Sequence, residues 1–235
     1  MKKAKVDWKK FSRKEKWEYI WDYYKIHIIV GVLVLCFGTY MGVKLATYRA
    51  PLMKVIMLNS QRQAYDTQPI FEEFLTENEY EVYSKAIMCH TNFQFWALES
   101  DESSAFQSAQ YENSQMLQGY YALLYTQEYS VVFGNGWVFE DTLNDMAFID
   151  LRELLPEKTL ELYEDYIVYY SDEETGIEYP CAIRLTEENS WLQEHGLYKN
   201  CMVGVLKSAP DVQMASELLG YVLAYNLSPL MEENP

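Results

Sequence analysis

Residues 26–46 read IHIIVGVLVLCFGTYMGVKLA. The stretch holds no acidic residue, and its two basic side chains, His27 and Lys44, sit near its ends. A helix of this length reaches about 30 Å, the thickness of a bilayer's hydrocarbon core. His27 and Lys44 can snorkel to the two interfaces. This reading divides the chain into a basic leader (1–25), a transmembrane helix (26–46) that partners the lipid bilayer, and an outer domain (52–235).

The flanks set an orientation. Lys2, Lys3, Lys5, Lys9, Lys10, Arg13, Lys14, Lys16 and Lys25 precede the span, and only Lys44 and Arg49 sit at its far end. The positive-inside rule then predicts a cytoplasmic N-terminus, a single pass through the cell membrane and an extracytoplasmic C-terminal domain. Trp17, Tyr19, Trp21, Tyr23 and Tyr24 crowd the near boundary as an aromatic belt. No A-x-A site follows the span, and Leu33-Val34-Leu35-Cys36 lacks a lipobox's small residue before its Cys. An uncleaved anchor is therefore expected. Ser12-Arg13-Lys14-Glu15 fits a capping box, so a helix starting there runs straight into the span. Trp8 and Phe11, set among lysines, suit an anionic inner leaflet.

Charge follows the same division. Residues 1–50 carry a net +7 and residues 51–235 a net −23. An acidic outer domain excludes nucleic acid as a partner, because phosphates need a basic surface. With 21 Tyr, 10 Phe and 6 Trp in the chain, disorder is excluded as well. Cys89, Cys181 and Cys201 fall in the outer domain without a CxxC pair, which argues against a metal site. They read as buried free thiols, the alternative being a Cys181–Cys201 disulfide.

After Pro51, strand and helix patterns alternate at α/β spacing. Strands are expected at 54–58 (KVIML), 85–89, 129–133 (YSVVF) and 202–207 (MVGVLK). Helices are expected at 70–83, 103–127 and 138–144, and from Pro210 to Tyr225. Segments 166–170 and 178–185 flank a turn-rich stretch and form a hairpin. Amphipathic crossovers place strands 54–58, 85–89 and 129–133 parallel in one sheet. The fold class expected is α/β, an N-terminal transmembrane helix followed by one three-layer domain.

Tyr129–Leu151 reads YSVVFGNGWVFEDTLNDMAFIDL, Tyr179–Leu185 reads YPCAIRL, and Val203–Leu223 joins a strand to a helix behind Ser208-Ala209-Pro210. In that order these pieces resemble the type 2 extracellular solute-binding proteins of ABC transporters, over about half of the outer domain. The leader FSRKEKWEYIWDYYKIHII is similar to the anchors of some membrane proteins of Gram-positive bacteria. The resemblance implies a periplasmic-binding-like fold and a bacterial source. It departs from the family in size: about 185 residues suffice for a single lobe. Capture by closure of two lobes is therefore in doubt.

Ligands of open α/β sheets meet the carboxyl ends of the strands. Those ends are expected at Asn59 and Ser60, Thr91 and Asn92, and Asn135, Gly136 and Trp137, with Trp96 as a second stacking face. The same residue types also serve ordinary turns. No GxSxG, HExxH or phosphate loop occurs, and only His90 and His195 remain outside the membrane. The run Asp172-Glu173-Glu174 lacks calcium-loop spacing. No enzyme, cofactor or metal is expected. The function expected is a membrane-anchored extracytoplasmic binding or interaction domain, its partner a small solute or a membrane protein. The alternative is an accessory subunit of a membrane complex that binds no ligand.

Overall fold

The computed structural model describes residues 12–61, 68–95, 104–145, 147–172 and 176–231. The leader residues up to Phe11, Trp96, Glu173 and Glu174 lie outside them. The chain forms two compact units, 1–50 and 51–235.

Among its described residues the first unit contains one continuous helix, α1 (Arg13–Thr47). Its first turn closes with the Lys16 N–H donating to the Ser12 carbonyl at 3.1 Å. Residues Tyr24–Thr47 are long and apolar enough to cross a membrane. Side chains are exposed all along that stretch. The hydroxyls of Thr39 and Thr47 donate back to the carbonyls of Leu35 and Val43, at 2.7 and 2.8 Å, so neither needs water.

The second unit is mixed α/β. In chain order it contains β1 (Met53–Leu58), α2 (Gln68–Glu77), β2 (Ile87–Phe93), α3 (Ser104–Tyr125), β3 (Val131–Gly134) and α4 (Trp137–Asn144). Then come α5 (Leu151–Leu154), α6 (Glu157–Leu162), β4 (Ile167–Asp172), β5 (Ile177–Leu185), α7 (Ser190–His195), β6 (Cys201–Val205) and α8 (Val212–Met231). The six strands make one sheet in the order β2-β1-β3-β6-β5-β4. β2, β1 and β3 run parallel, as their helical crossovers require. β6 is antiparallel to both β3 and β5, and the expected hairpin closes the sheet as β5–β4.

Side chains alternate across the sheet and build two cores. Val55, Met57, Phe133 and Val203 face one side, where Phe71 and Phe74 of α2, Trp191 of α7 and Leu218 of α8 cover them. Ile56, Leu58, Val132 and Met202 face the other, beneath Tyr120 of α3 and Phe139 of α4. The central strands β1 and β3 are buried on both faces beyond Lys54, which is why Val55–Leu58 and Val131–Phe133 read as unbroken apolar runs. Gly204 lets Phe148 lie flat on β6, since an added Cβ would sit 2.5 Å from that ring.

Element boundaries differ from the sequence pattern, most informatively in three elements. The helix expected over 70–83 stops at Glu77. Glu79 turns left-handed (φ 58°), the Tyr80 N–H reaches the Leu75 carbonyl at 2.8 Å, and the Tyr80 ring packs 6.1 Å from Phe74. The strand expected at 85–89 begins later and runs on through Phe93. The last helix is capped by Asp211, not opened by Pro210, with the Met214 N–H donating to Asp211 Oδ1 at 2.9 Å. It continues past Tyr225 through Pro229. Pro229 has no N–H for the Tyr225 carbonyl, and Ser190 Oγ donates to that carbonyl at 3.3 Å instead.

The Cys181–Cys201 disulfide does not form. The two thiols are free and belong to opposite cores, Cys181 to the α3–α4 side and Cys201 to the α2–α8 side.

Candidate functional site

The parallel strands deliver their carboxyl ends to one edge of the sheet. The chain moves from β1 outward to β2 and then back across β1 to β3, so the crevice where connections diverge lies between β1 and β3. Asn59 follows β1 and Asn135 follows β3. Asn59 takes a left-handed backbone (φ 56°), which Asn tolerates better than most residues. That turn aims its side chain across the crevice. Its Nδ2 donates to the Asn135 carbonyl at 3.1 Å, and its Oδ1 accepts the Phe95 N–H at 2.6 Å. One amide thereby ties the ends of β1, β2 and β3 together.

A plug from elsewhere in the chain completes the closure. Helix α7 starts at Asn189, whose Oδ1 accepts the Leu192 N–H at 3.0 Å and whose Nδ2 donates to the Val222 carbonyl at 3.0 Å. It stops at Gly196, left-handed at φ 59°, with the Leu197 N–H returning to the Leu192 carbonyl at 3.1 Å. That stop turns Leu197 and Tyr198 onto the strand ends. Both are buried. The Leu197 carbonyl accepts the Gln61 N–H at 2.8 Å and Ser60 Oγ at 3.4 Å. The Tyr198 hydroxyl lies 2.9 Å from the Leu58 carbonyl and 3.4 Å from that of Phe133, at the last residues of β1 and beside the end of β3. Asn135 Nδ2 donates to the Asn200 carbonyl at 3.4 Å. Burial holds the Tyr198 phenol well above its ordinary range, so it stays a neutral donor.

The seven residues expected at the strand ends therefore separate. Asn59 and Asn135 meet, but they bond to each other and to backbone. Ser60 is buried, its carbonyl accepting Gln94 Nε2 at 2.8 Å. Thr91 and Asn92 lie within β2, not beyond it, Thr91 buried and Asn92 exposed. Gly136 precedes α4 at φ 79°, a conformation suited to glycine. Trp137 is partly exposed and packs edge-on against Phe95 with centroids 5.8 Å apart. Sequence reasoning missed Tyr198, Leu197 and Gln94. The available signal was the pair Leu197-Tyr198 behind Gly196, apolar residues in a loop too short to hide them except against the sheet.

A depression of about 500 Å³ remains open beside the plug, over the ends of β3 and β5 and the start of β6. Asn135, Arg184, Thr186, Glu187 and Asn200 line it. Burial pushes the thiols of Cys89 and Cys201 up and that of Cys181 to about 11, so all three stay protonated near neutrality. Among the described residues no group of three His, Cys, Asp or Glu side chains is placed to hold a metal ion.

No family model matches the chain, and neither a curated protein nor a solved structure shows significant similarity to it.

Proposed function

We propose that this chain is a membrane-anchored, extracytoplasmic interaction domain that serves as an accessory subunit of a membrane complex and captures no solute. α1 is the anchor, the basic leader faces the cytoplasm, and the acidic α/β unit stands outside the cell membrane. The observation that carries the reading is the closed crevice: Asn59, Asn135 and Tyr198 occupy the place where open α/β sheets admit ligands. The unit also has one sheet and one compact body, without a second lobe to close over a solute among its described residues. The charge split across the span supports the orientation.

The second reading is a solute-binding lobe related to the type 2 binding proteins. It is favoured by the depression beside Asn135, where the Arg184 guanidinium has no ion-pair partner among the described residues. Two measurements on the full chain separate the readings. Native electrophoresis of membranes in mild detergent is expected to give a complex heavier than the chain or its dimer. A thermal-shift screen of amino acids, sugars, short peptides and organic acids is expected to give no stabilisation. Migration as a free chain, together with a solute shift lost in Arg184→Gln, would replace the first reading with the second.

A further inference from the structure

The sheet ends on β4, which has a neighbouring strand on one side only among the described residues. Such an edge offers backbone donors and acceptors to any extended chain. Its surroundings are unlike those of the other edge. Residues 157–178 carry eight acidic side chains against one lysine, Lys158. Glu161, Glu164 and Asp165 lead into β4 and are exposed, and Glu178 of β5 is exposed opposite Ser171. Around β2 no such concentration exists, since residues 79–95 hold Glu79, Glu81 and Lys85. Tyr166, just before β4, and Tyr169, within it, are 38 and 50% exposed. Arg152, which interacts electrostatically with Tyr169, is already held by Asp150 through its Nε and Nη2.

Acidic flanks protect an edge against copies of itself, because a second β4 would bring the same charges into register. They act in the opposite sense on a basic strand. Exposed tyrosine faces add a place for its cations. The α/β unit already uses that contact, with Lys54 over Tyr129 at 5.8 Å and Lys207 over Tyr179 at 5.2 Å.

We infer that β4 is a docking edge for an extended, lysine- or arginine-rich segment of another protein, which adds to the sheet as a seventh strand. The ladder supplies affinity and the carboxylates supply choice of partner. The inference rests on the interaction reading above and names its surface.

The test uses the full chain in nanodiscs and three eight-residue peptides. One alternates lysine and valine, one alternates glutamate and valine, and one is the lysine peptide with alternate backbone nitrogens methylated. Binding of the lysine peptide is expected to slow amide exchange within 167–172 by about tenfold or more and to leave 87–93 unchanged. The glutamate and methylated peptides are expected not to bind. The triple variant Glu164→Gln, Asp165→Asn, Glu178→Gln, whose fold is checked by its unchanged exchange elsewhere, is expected to weaken binding about tenfold. Equal binding of the methylated peptide, protection at β2, or no binding of the lysine peptide would each overturn the inference. Failure here with a heavy native complex retained would discard β4 alone, whereas migration as a free chain would discard the interaction reading itself.

Discussion

The side-chain amide of Asn59 donates to the backbone carbonyl of Asn135 at 3.1 Å, across 76 residues of sequence. Each residue directly follows a central parallel strand, so this bond and its companion to the Phe95 N–H close the crevice from within. Asn59→Gly keeps the left-handed turn and deletes both bonds. It is expected to cost about 2 kcal/mol, and Asn59→Ala about 1 kcal/mol more for the strained backbone. Urea unfolding followed by near-UV circular dichroism reads both values. Equal stability of Asn59→Gly and the parent would show that the crevice is not held by this amide.

Tyr198 is expected to matter through its ring and its hydroxyl separately. Tyr198→Phe deletes the donor shared by the Leu58 and Phe133 carbonyls and is expected to cost about 1–2 kcal/mol. Tyr198→Ala also removes the buried ring and is expected to cost about 4 kcal/mol. A variant series in which both changes cost the same would place the whole effect in the hydrogen bond.

At Gly204 the crowding is steric. Gly204→Ala would press a methyl group into Phe148, a fixed core ring that also stacks on Phe139 at 5.2 Å. The expected loss is about 2–3 kcal/mol. Phe148→Leu alone is expected to lose stability as well, but the double variant should lose less than the sum. Additive losses in that cycle would contradict the contact.

His90 provides a pH dependence with a definite sign. Burial, and secondarily Lys54, lower the pKa of its imidazole; Tyr129 packs against the ring and Glu128 pairs with Lys54. A lowered folded value means that the unfolded chain takes up the proton first as pH falls. The contribution of neutral His90 is therefore intact above about pH 6.5 and is lost as pH drops through that value toward the folded one. The urea midpoint of His90→Gln is expected to fall less than that of the parent between about pH 7.5 and about pH 5.5. Parallel declines would contradict this assignment.

Much of the sheet was legible because β1 and β3 are central. Strands covered on both faces read as near-continuous apolar runs, as VIML of β1 and VVF of β3 do. The hairpin was legible from its turn chemistry. The insertion of β6 between β3 and β5 was not, because antiparallel closure depends on which neighbours remain after the crossovers, and local pattern carries no trace of it. The stop of α2 was hidden because Glu79, without the help of a glycine, takes the left-handed position under the pull of the Tyr80–Phe74 contact. At the candidate site, the amides of Asn59 and Asn135 were legible as strand-end residues. Their partners were not, since the plug comes from Leu197 and Tyr198, far along the chain.

The claim on which the rest depends is that α1 crosses the membrane with the acidic unit outside. Single cysteines at Lys5 and at Thr126, in a chain whose Cys36, Cys89, Cys181 and Cys201 are replaced by serine or alanine, are to be labelled in intact cells with a membrane-impermeant thiol reagent. Thr126 is exposed just past α3 and lies outside β4, so a strand docked on that edge leaves its cysteine open to the reagent. Labelling of the cysteine at 126 and protection of that at 5 until the cells are lysed is the expected result. Labelling at 5 with protection at 126 would contradict the orientation and, with it, the proposal of an extracytoplasmic partner.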